Sequence, residues 1–286
     1  MPASTEFDAA ARRVARQAAR RRQATRSQGV AAVSTLCFFG IVVLTVGASK
    51  GWHDVQRLFF DPHHFAASFP DILHGFWLDV RLFLVVEVFV LIVGLSIAVT
   101  RSTRAPALFP VRLLATAYTD VFRGLPTILI IYLVGFGIPA LRFAYLPRDV
   151  VVLGGVALTL SYGAYVAEVF RAGIASVHAS QRAAARALGL TAGQAMRFVI
   201  LPQAVRRVVP PLLNDFVALT KDVALVSILG PLEAYREAQI YASSKFNYTP
   251  LFGAALLYLL ITIPLARLTD HLQARAERER SAGGAA

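Results

Sequence analysis

The chain has 286 residues, of which 56% are hydrophobic and 16% charged, whereas a soluble domain carries about a quarter charged residues. Its formal net charge is +12, but its apolar residues come in long blocks, which points to a polytopic membrane protein rather than a soluble nucleic-acid binder. A single cysteine, Cys37, excludes an internal disulfide and a cysteine-based metal site.

Residues 1–28 hold seven arginines against Glu6 and Asp8. They read as a basic cytosolic tail, and the alanines among the arginines also suit a surface helix on anionic lipid. Residues 29–49 are uncharged and long enough to cross a bilayer as an uncleaved first helix. Cys37 falls inside it and reads as a small buried apolar residue. Residues 50–75 are mixed, with Trp52, Phe59, Phe60, His63, His64 and Pro70, and read as an external loop with aromatic residues at the interface. His63 and His64 have no carboxylate or cysteine at ligand spacing, so they read as surface residues rather than a metal site.

The second span, 76–99, holds Arg81 near one end and Glu87 further in. A charge at the centre of a membrane helix costs roughly 2.5–3.5 kcal/mol on insertion scales, so Glu87 must face other helices or a polar cavity. Six residues separate it from Arg81, about 240° around a helix, which excludes the two as a pair. Arg101, Arg104 and Arg112 around Pro106 and Pro110 mark a cytosolic loop. An uncharged third span follows at 124–141, then a short external turn at 142–149 and a fourth span at 150–167. Asp120 and Arg123 are echoed by Glu168 and Arg171: an acid, then a base three residues on, sharing a helix face. The pattern suits a local ion pair that offsets the cost of both charges. A gate at the cytosolic end of a path is the sharper reading.

Residues 176–202 organise the rest. From Arg171 to Arg207 the chain carries six arginines and no acid. Ser180 is placed to cap a first helix, rich in alanine at Ala183, Ala184, Ala185 and Ala187. Gly189 can end it in the left-handed conformation. Thr191 and Gln194 form a capping box for a second helix, and Pro202 limits that one. Similar spacing occurs in DNA-reading helix pairs, but both ends here run into the bilayer and no separate core would hold a DNA reader.

Ala184-Ala185, Gly189 four residues on and Val199-Ile200-Leu201-Pro202 resemble the signature cytosolic loop of ABC-importer permeases, E-A-A-x3-G-x9-I-x-L-P. AYVAEVFRAGI at 164–174 is similar to the family's AYxAExxRxGI, and VFRGLP at 121–126 to its xVFRGxP motif. Gln203-Ala204, Arg206, Pro210-Pro211, Asn214, Phe216, Leu219, Lys221-Asp222 and Leu225-Val226-Ser227 resemble the polar amino-acid branch. The likeness runs over residues 76–270, about two thirds of the chain. One position departs: where the family has glutamate, this chain has Ala183, which removes one charged contact with the ATPase.

The resemblance places a fifth span at 208–232. Hydropathy alone misses it, because Asn214, Asp215, Lys221 and Asp222 interrupt it. Asp215 and Asp222 are seven residues apart and share a face. The sixth span is 246–266, and residues 271–286 read as a polar tail that frays. With six spans, 20 lysines and arginines fall inside and 6 outside, which puts both termini in the cytosol. The expected fold is all-α and polytopic. An additional N-terminal membrane helix precedes a five-helix core of the type I ABC permease kind over 76–270, with the coupling loop at 176–202.

No G-x-x-x-x-G-K-[ST], H-E-x-x-H or G-x-S-x-G occurs, so the sequence offers no cradle for ATP, no zinc helix and no nucleophile turn. The resemblance implies a permease in the cytoplasmic membrane of a prokaryote, moving a polar amino acid by alternating access. It implies no cofactor in this chain, ATP and magnesium belonging to separate cytosolic ATPase subunits. The other implied partners are a second permease copy or a related permease, an external substrate-binding protein and the lipid bilayer. ATPase coupling falls on Gln181, Arg182, Ala183, Ala184, Ala185, Arg186, Gly189, Leu201 and Pro202, with Arg182 and Arg186 supplying charge where Ala183 does not. The candidate path or gate comprises Glu87, Asp120, Arg123, Glu168, Arg171, Asn214, Asp215, Lys221 and Asp222. A second reading, an ion-coupled carrier or channel using Glu87, Asp215 and Asp222, differs in its energy source. A third, a membrane enzyme, requires a convergent set of catalytic groups, and the sequence shows none.

Overall fold

The computed structural model describes residues 29–103 and 105–283. The basic tail at 1–28 and Arg104, expected in a cytosolic loop, lie outside the described residues. The described residues form helices and no strand. The chain divides into two compact units between Arg57 and Leu58.

In the first unit, α1 (Gly29–Gly47) exposes apolar side chains on every face. A helix that is apolar all round needs lipid or protein around it. Cys37, expected to be buried, is exposed on α1, because no described side chain of that unit covers the helix. A short helix, α2 (Trp52–Phe59), crosses the boundary.

The second unit opens with α3 (Pro62–Ser102), 41 residues long. At 1.5 Å per residue it measures about 62 Å, roughly twice the hydrocarbon thickness of a bilayer. It starts where it does because Asp61 accepts hydrogen bonds from the amides of His63 (2.8 Å) and His64 (3.2 Å) and Pro62 sits at the first helical position. Residues 50–75 are therefore largely helical, not a loop. The reason is a stripe the sequence reading passed over: Ser68, Ile72, Gly75, Phe76 and Asp79 recur at helical spacing and are all buried.

A bent pair follows. The axes of α4 (Phe109–Gly124) and α5 (Thr127–Ala140), the former continuing a 3-10 turn at Pro106–Leu108, meet at 111°. Pro126 lacks an amide proton and holds Leu125 extended, at φ −101° and ψ 140°. The expected third span at 124–141 is thus only one arm of the pair. With 14 residues, α5 is about 21 Å long, too short to cross alone.

Next comes α6 (Val150–Ser176), capped by Asp149 and running beyond the expected end at 167. Three helical segments then lead on: α7 (Ala179–Ala187), α8 (Ala192–Ala195) and, through a π-turn at Met196–Ile200, α9 (Leu201–Asp222). A 3-10 stretch at Val223–Leu229 ends at Gly230. The connection before the last helix, read as external loop, contains α10 (Ala234–Lys245). The final helix, α11 (Thr249–Gly283), takes in residues 271–283 of the expected tail.

Among the described residues, four helical stretches are long and apolar enough to cross a membrane, five if the bent pair is one span. The sixth, at α9, fails that test because polar residues interrupt it. The core lies around α6, which packs on α3, α4, α5 and α9. Without a hydrophobic driving force between helices in lipid, close approach through small residues carries the packing. Gly94 of α3 meets Val166 of α6, and Gly154 of α6 meets Val226. A second cluster, Ile72, Phe76, Ala234, Ala238, Ala254 and Leu257, fastens the start of α3 to α10 and α11.

Candidate functional site

The elbow between α6 and α9 is built from local hydrogen bonds. Its first helix, α7, is capped by His178, not by Ser180: the His178 ring nitrogen Nδ1 accepts the Ser180 amide at 3.3 Å and lies 2.8 Å from the Ser180 hydroxyl. The C-terminus of α7 closes as a Schellman motif. The Gly189 amide donates to the Arg186 carbonyl (2.9 Å) and the Leu190 amide to the Ala185 carbonyl (3.1 Å), with Gly189 at φ +78°. Two residues on, the capping box is complete. The Gln194 amide donates to Thr191 Oγ1 (3.3 Å) and the Thr191 amide to Gln194 Oε1 (2.9 Å).

Pro202 does not end the second helix. The π-turn places the Leu201 amide on the Met196 carbonyl and Gln203 Nε2 on the Val199 carbonyl at 2.9 Å. With the turn widened in this way the chain passes Pro202 without a stop, and the axis continues from α8 into α9. Leu201 is partly buried. From α8 onward the elbow therefore runs into α9 as one continuous helical stretch, where the sequence suggested a pair with a stop.

Two arginines tie the lever to the end of α6. Arg182 donates to the Ile174 carbonyl at 2.5 Å, and Arg207 donates to the Ser176 carbonyl and, at 3.2 Å, to its hydroxyl. Both sit on carbonyls of the last turn of α6, where positive charge is favoured. Arg182, expected to face the ATPase, makes this internal contact and is part-buried. Ala185 is buried, while Gln181, Ala183, Ala184 and Arg186 are exposed. Leu188 (81% exposed) and Phe198 (63%) add an apolar surface. They were missed in the sequence because an isolated apolar residue in a basic loop carries no periodic signal.

Beside the elbow lies the charge cluster. Glu168 of α6 takes two hydrogen bonds from Arg171, at 2.7 and 2.9 Å, another from Arg101 of α3, and lies 3.9 Å from Arg123 of α4. The i,i+3 pair expected for Glu168 and Arg171 is present. The matching pair is not: Arg123 reaches Glu168 and the ring of Tyr165, while Asp120 is exposed. One carboxylate thus joins three helices. Glu168→Gln is expected to lower stability by about 2–3 kcal/mol, since three cationic side chains keep only a neutral acceptor. Arg123→Gln, which removes a longer and exposed contact, should change it by less than about 0.5 kcal/mol. Thermal unfolding of the purified chain in detergent separates the two outcomes.

Deeper in, Asp222 accepts the Tyr162 hydroxyl at 2.8 Å. Asp215 is close enough to act electrostatically on both Glu87 and Tyr162, and its Oδ2 is buried without a partner. Glu87 on α3, Tyr162 on α6, and Asp215 and Asp222 on α9 therefore form one acceptor-rich region. Lys221 is exposed and not part of it. Asn214 also lies outside it: its Oδ1 accepts Gln273 Nε2 of α11 at 3.2 Å, and the same amide serves the Pro210 carbonyl. Arg81 lies over Trp77 rather than near Glu87. Tyr162 was missed because a tyrosine in an apolar span signals nothing until its partner is known. Among the described residues, no three histidine, cysteine or acidic side chains are grouped to hold a metal ion.

Residues 91–278 match the family described as the binding-protein-dependent transport system inner membrane component. A probable glutamine ABC transporter permease protein of Bacillus subtilis is 38% identical over 188 residues, covering 65% of this chain and 84% of the relative. An arginine transport system permease protein of the same organism is 34% identical over 206 residues, covering 70% and 91%. Among solved structures, an amino acid ABC transporter crystallised with histidines superposes with a TM-score of 0.66 at 30% identity, covering 75% of this chain and 98% of that one. An inward-facing methionine ABC transporter shares the fold, with a TM-score of 0.59 at 17% identity.

Proposed function

The chain belongs to the family of binding-protein-dependent transport system inner membrane components, and from that premise we propose that it is the permease of an ATP-driven importer that carries a polar amino acid by alternating access. The observation that carries this reading is the elbow: a Schellman turn at Gly189 and a capping box at Thr191 in one lever continuous with α9. Cytosolic ATPase subunits grip its exposed face, through Ala183, Ala184, Arg186 and Leu188. Ala183, in place of a glutamate, leaves that contact to shape and to Arg186. Closure of the ATPases on ATP turns the lever, and α9 carries the turn into helix packing that has two arrangements. The Glu168 cluster holds α3, α4 and α6 together beside it.

Glu87, Asp215, Asp222 and Tyr162 offer oxygen acceptors in the membrane, suited to the ammonium group that every amino acid carries. A second permease copy or a related chain completes the path, and an external binding protein delivers the solute. Both termini and the elbow lie in the cytosol, as the excess of internal arginines requires. The chain isolated with its ATPase and reconstituted in liposomes is expected to take up a labelled polar amino acid only with ATP on the elbow side, and to do so when a protonophore is present. Uptake that persists without ATP and collapses with the proton gradient would make it an ion-coupled carrier instead.

A further inference from the structure

At the end of the molecule opposite the elbow, two carboxylates that the transport reading does not use are buried together. Asp79 of α3 is 3% exposed and Glu233, which precedes α10, is 1% exposed. One hydroxyl, that of Tyr258, lies within hydrogen-bonding distance of both. Tyr258 of α11 has one proton to give: its hydroxyl lies 2.7 Å from Asp79 Oδ2 and 3.3 Å from Glu233 Oε2. The Ala234 amide is 3.4 Å from the same Asp79 oxygen. Glu233 spends both oxygens on the start of α10, accepting from the amides of Tyr235 (2.7 Å) and Arg236 (2.6 Å). Asp79 Oδ1 is closed off from solvent and has no partner.

Among the described residues, no lysine, arginine or histidine side chain is among the groups acting on either carboxylate. The Arg236 guanidinium turns away to Gln239 at 2.8 Å. Arg81, two residues beyond Asp79 on α3, lies over the Trp77 ring, and Asp71 and His74 act on Glu237 of α10. Two like charges this close and this dry do not both persist.

We propose that Asp79 and Glu233 bind one proton between them, held with Tyr258, and that this proton fastens α10 to α3 and α11. Neutralisation of the pair turns a repulsion into a hydrogen bond across three elements. Loss of the proton drives the start of α10 off α3. Burial, with Asp79 alongside, pushes the Glu233 carboxyl upward from its ordinary range. The folded chain therefore keeps a proton that the unfolded chain releases in the usual glutamate range. The stability from this site is complete below that range and is lost as pH rises through the raised value.

The test uses the full chain purified into lipid nanodiscs, with infrared difference spectra taken through a pH titration. The wild type is expected to show the carbonyl stretch of a protonated carboxylic acid at neutral pH, lost on alkalinisation. Asp79→Asn and Glu233→Gln should each remove that component, because an amide beside one carboxylate needs no shared proton; Glu87→Gln should leave it in place. Melting temperature should fall with rising pH in the wild type and stay level in Asp79→Asn. If that variant does not fold, Tyr258→Phe, which keeps both carboxyls, should retain the pH dependence with a shifted band. A band common to the wild type and both amide variants, or a wild-type melting temperature indifferent to pH, overturns the proposal. Neither outcome bears on ATP-driven uptake.

Discussion

Gly189→Val is expected to reduce amino-acid uptake roughly 5- to 30-fold while the protein still inserts in the membrane at normal abundance. The argument is purely conformational. Gly189 holds φ +78°, and a Cβ there would meet nothing within 4 Å. No clash arises, so the change is felt only through the backbone. A left-handed residue with a side chain costs about 1–2 kcal/mol, and a β-branched one lies at the upper end. That penalty opens the Schellman turn and releases α7 from its angle to α8. A shift of 1–2 kcal/mol changes the population of a conformation about 5- to 30-fold, which sets the size of the effect. Gly189→Asn tests the cause, since asparagine tolerates the left-handed region and should keep most of the uptake. Wild-type uptake in the valine variant, measured at equal membrane abundance, would remove the elbow from the coupling pathway.

Gly75→Ala should cost about 1–3 kcal/mol of stability, and Gly75→Val more, lowering the melting temperature in detergent. Here the backbone is ordinary helix and the space is the constraint. A Cβ on Gly75 would stand 2.6 Å from the Glu233 carbonyl carbon, 2.7 Å from the Ala234 nitrogen and 2.9 Å from the Glu233 oxygen. All three are backbone atoms, so no side chain can rotate away. The start of α10 must move off α3, and Asp79, one turn further along the same face, loses its contact with the Ala234 amide. Gly137→Ala on α5 is the control: its added Cβ meets nothing within 4 Å, so the change should raise stability by about 0.5–1 kcal/mol through helix propensity. If both substitutions shift the melting temperature in the same direction, the close approach of α3 and α10 is not what Gly75 supplies.

The pattern of hits and misses in the sequence has a physical cause. Gly189 and the Thr191–Gln194 box were legible because each rests on groups a few residues apart. Pro202 was misjudged because its effect depends on whether the preceding turn can widen. Glu87, Asp215 and Asp222 were legible as carboxylates in apolar blocks. Asp79 carries the same signal and is the one the reading passes over, its block having been described through Arg81 and Glu87. The start of α3 looked like a loop because its buried stripe is sparse and its covering elements, α10 and α11, lie more than 150 residues away.

What the sequence determined alone is whatever hydropathy and short-range hydrogen bonding decide: long apolar helices, an arginine-rich elbow and the glycine that bends it. Residue spacing also carried the family. What only the tertiary structure decided is which charges meet. Glu168 takes Arg101 from 67 positions away, Asp120 lacks its expected partner, and Asp79 finds Glu233 and Tyr258 from other helices. In a membrane a buried charge must find some partner, but the sequence states only the need. The partner is chosen by how the helices cross, and that is set by contacts between surfaces distant in the chain.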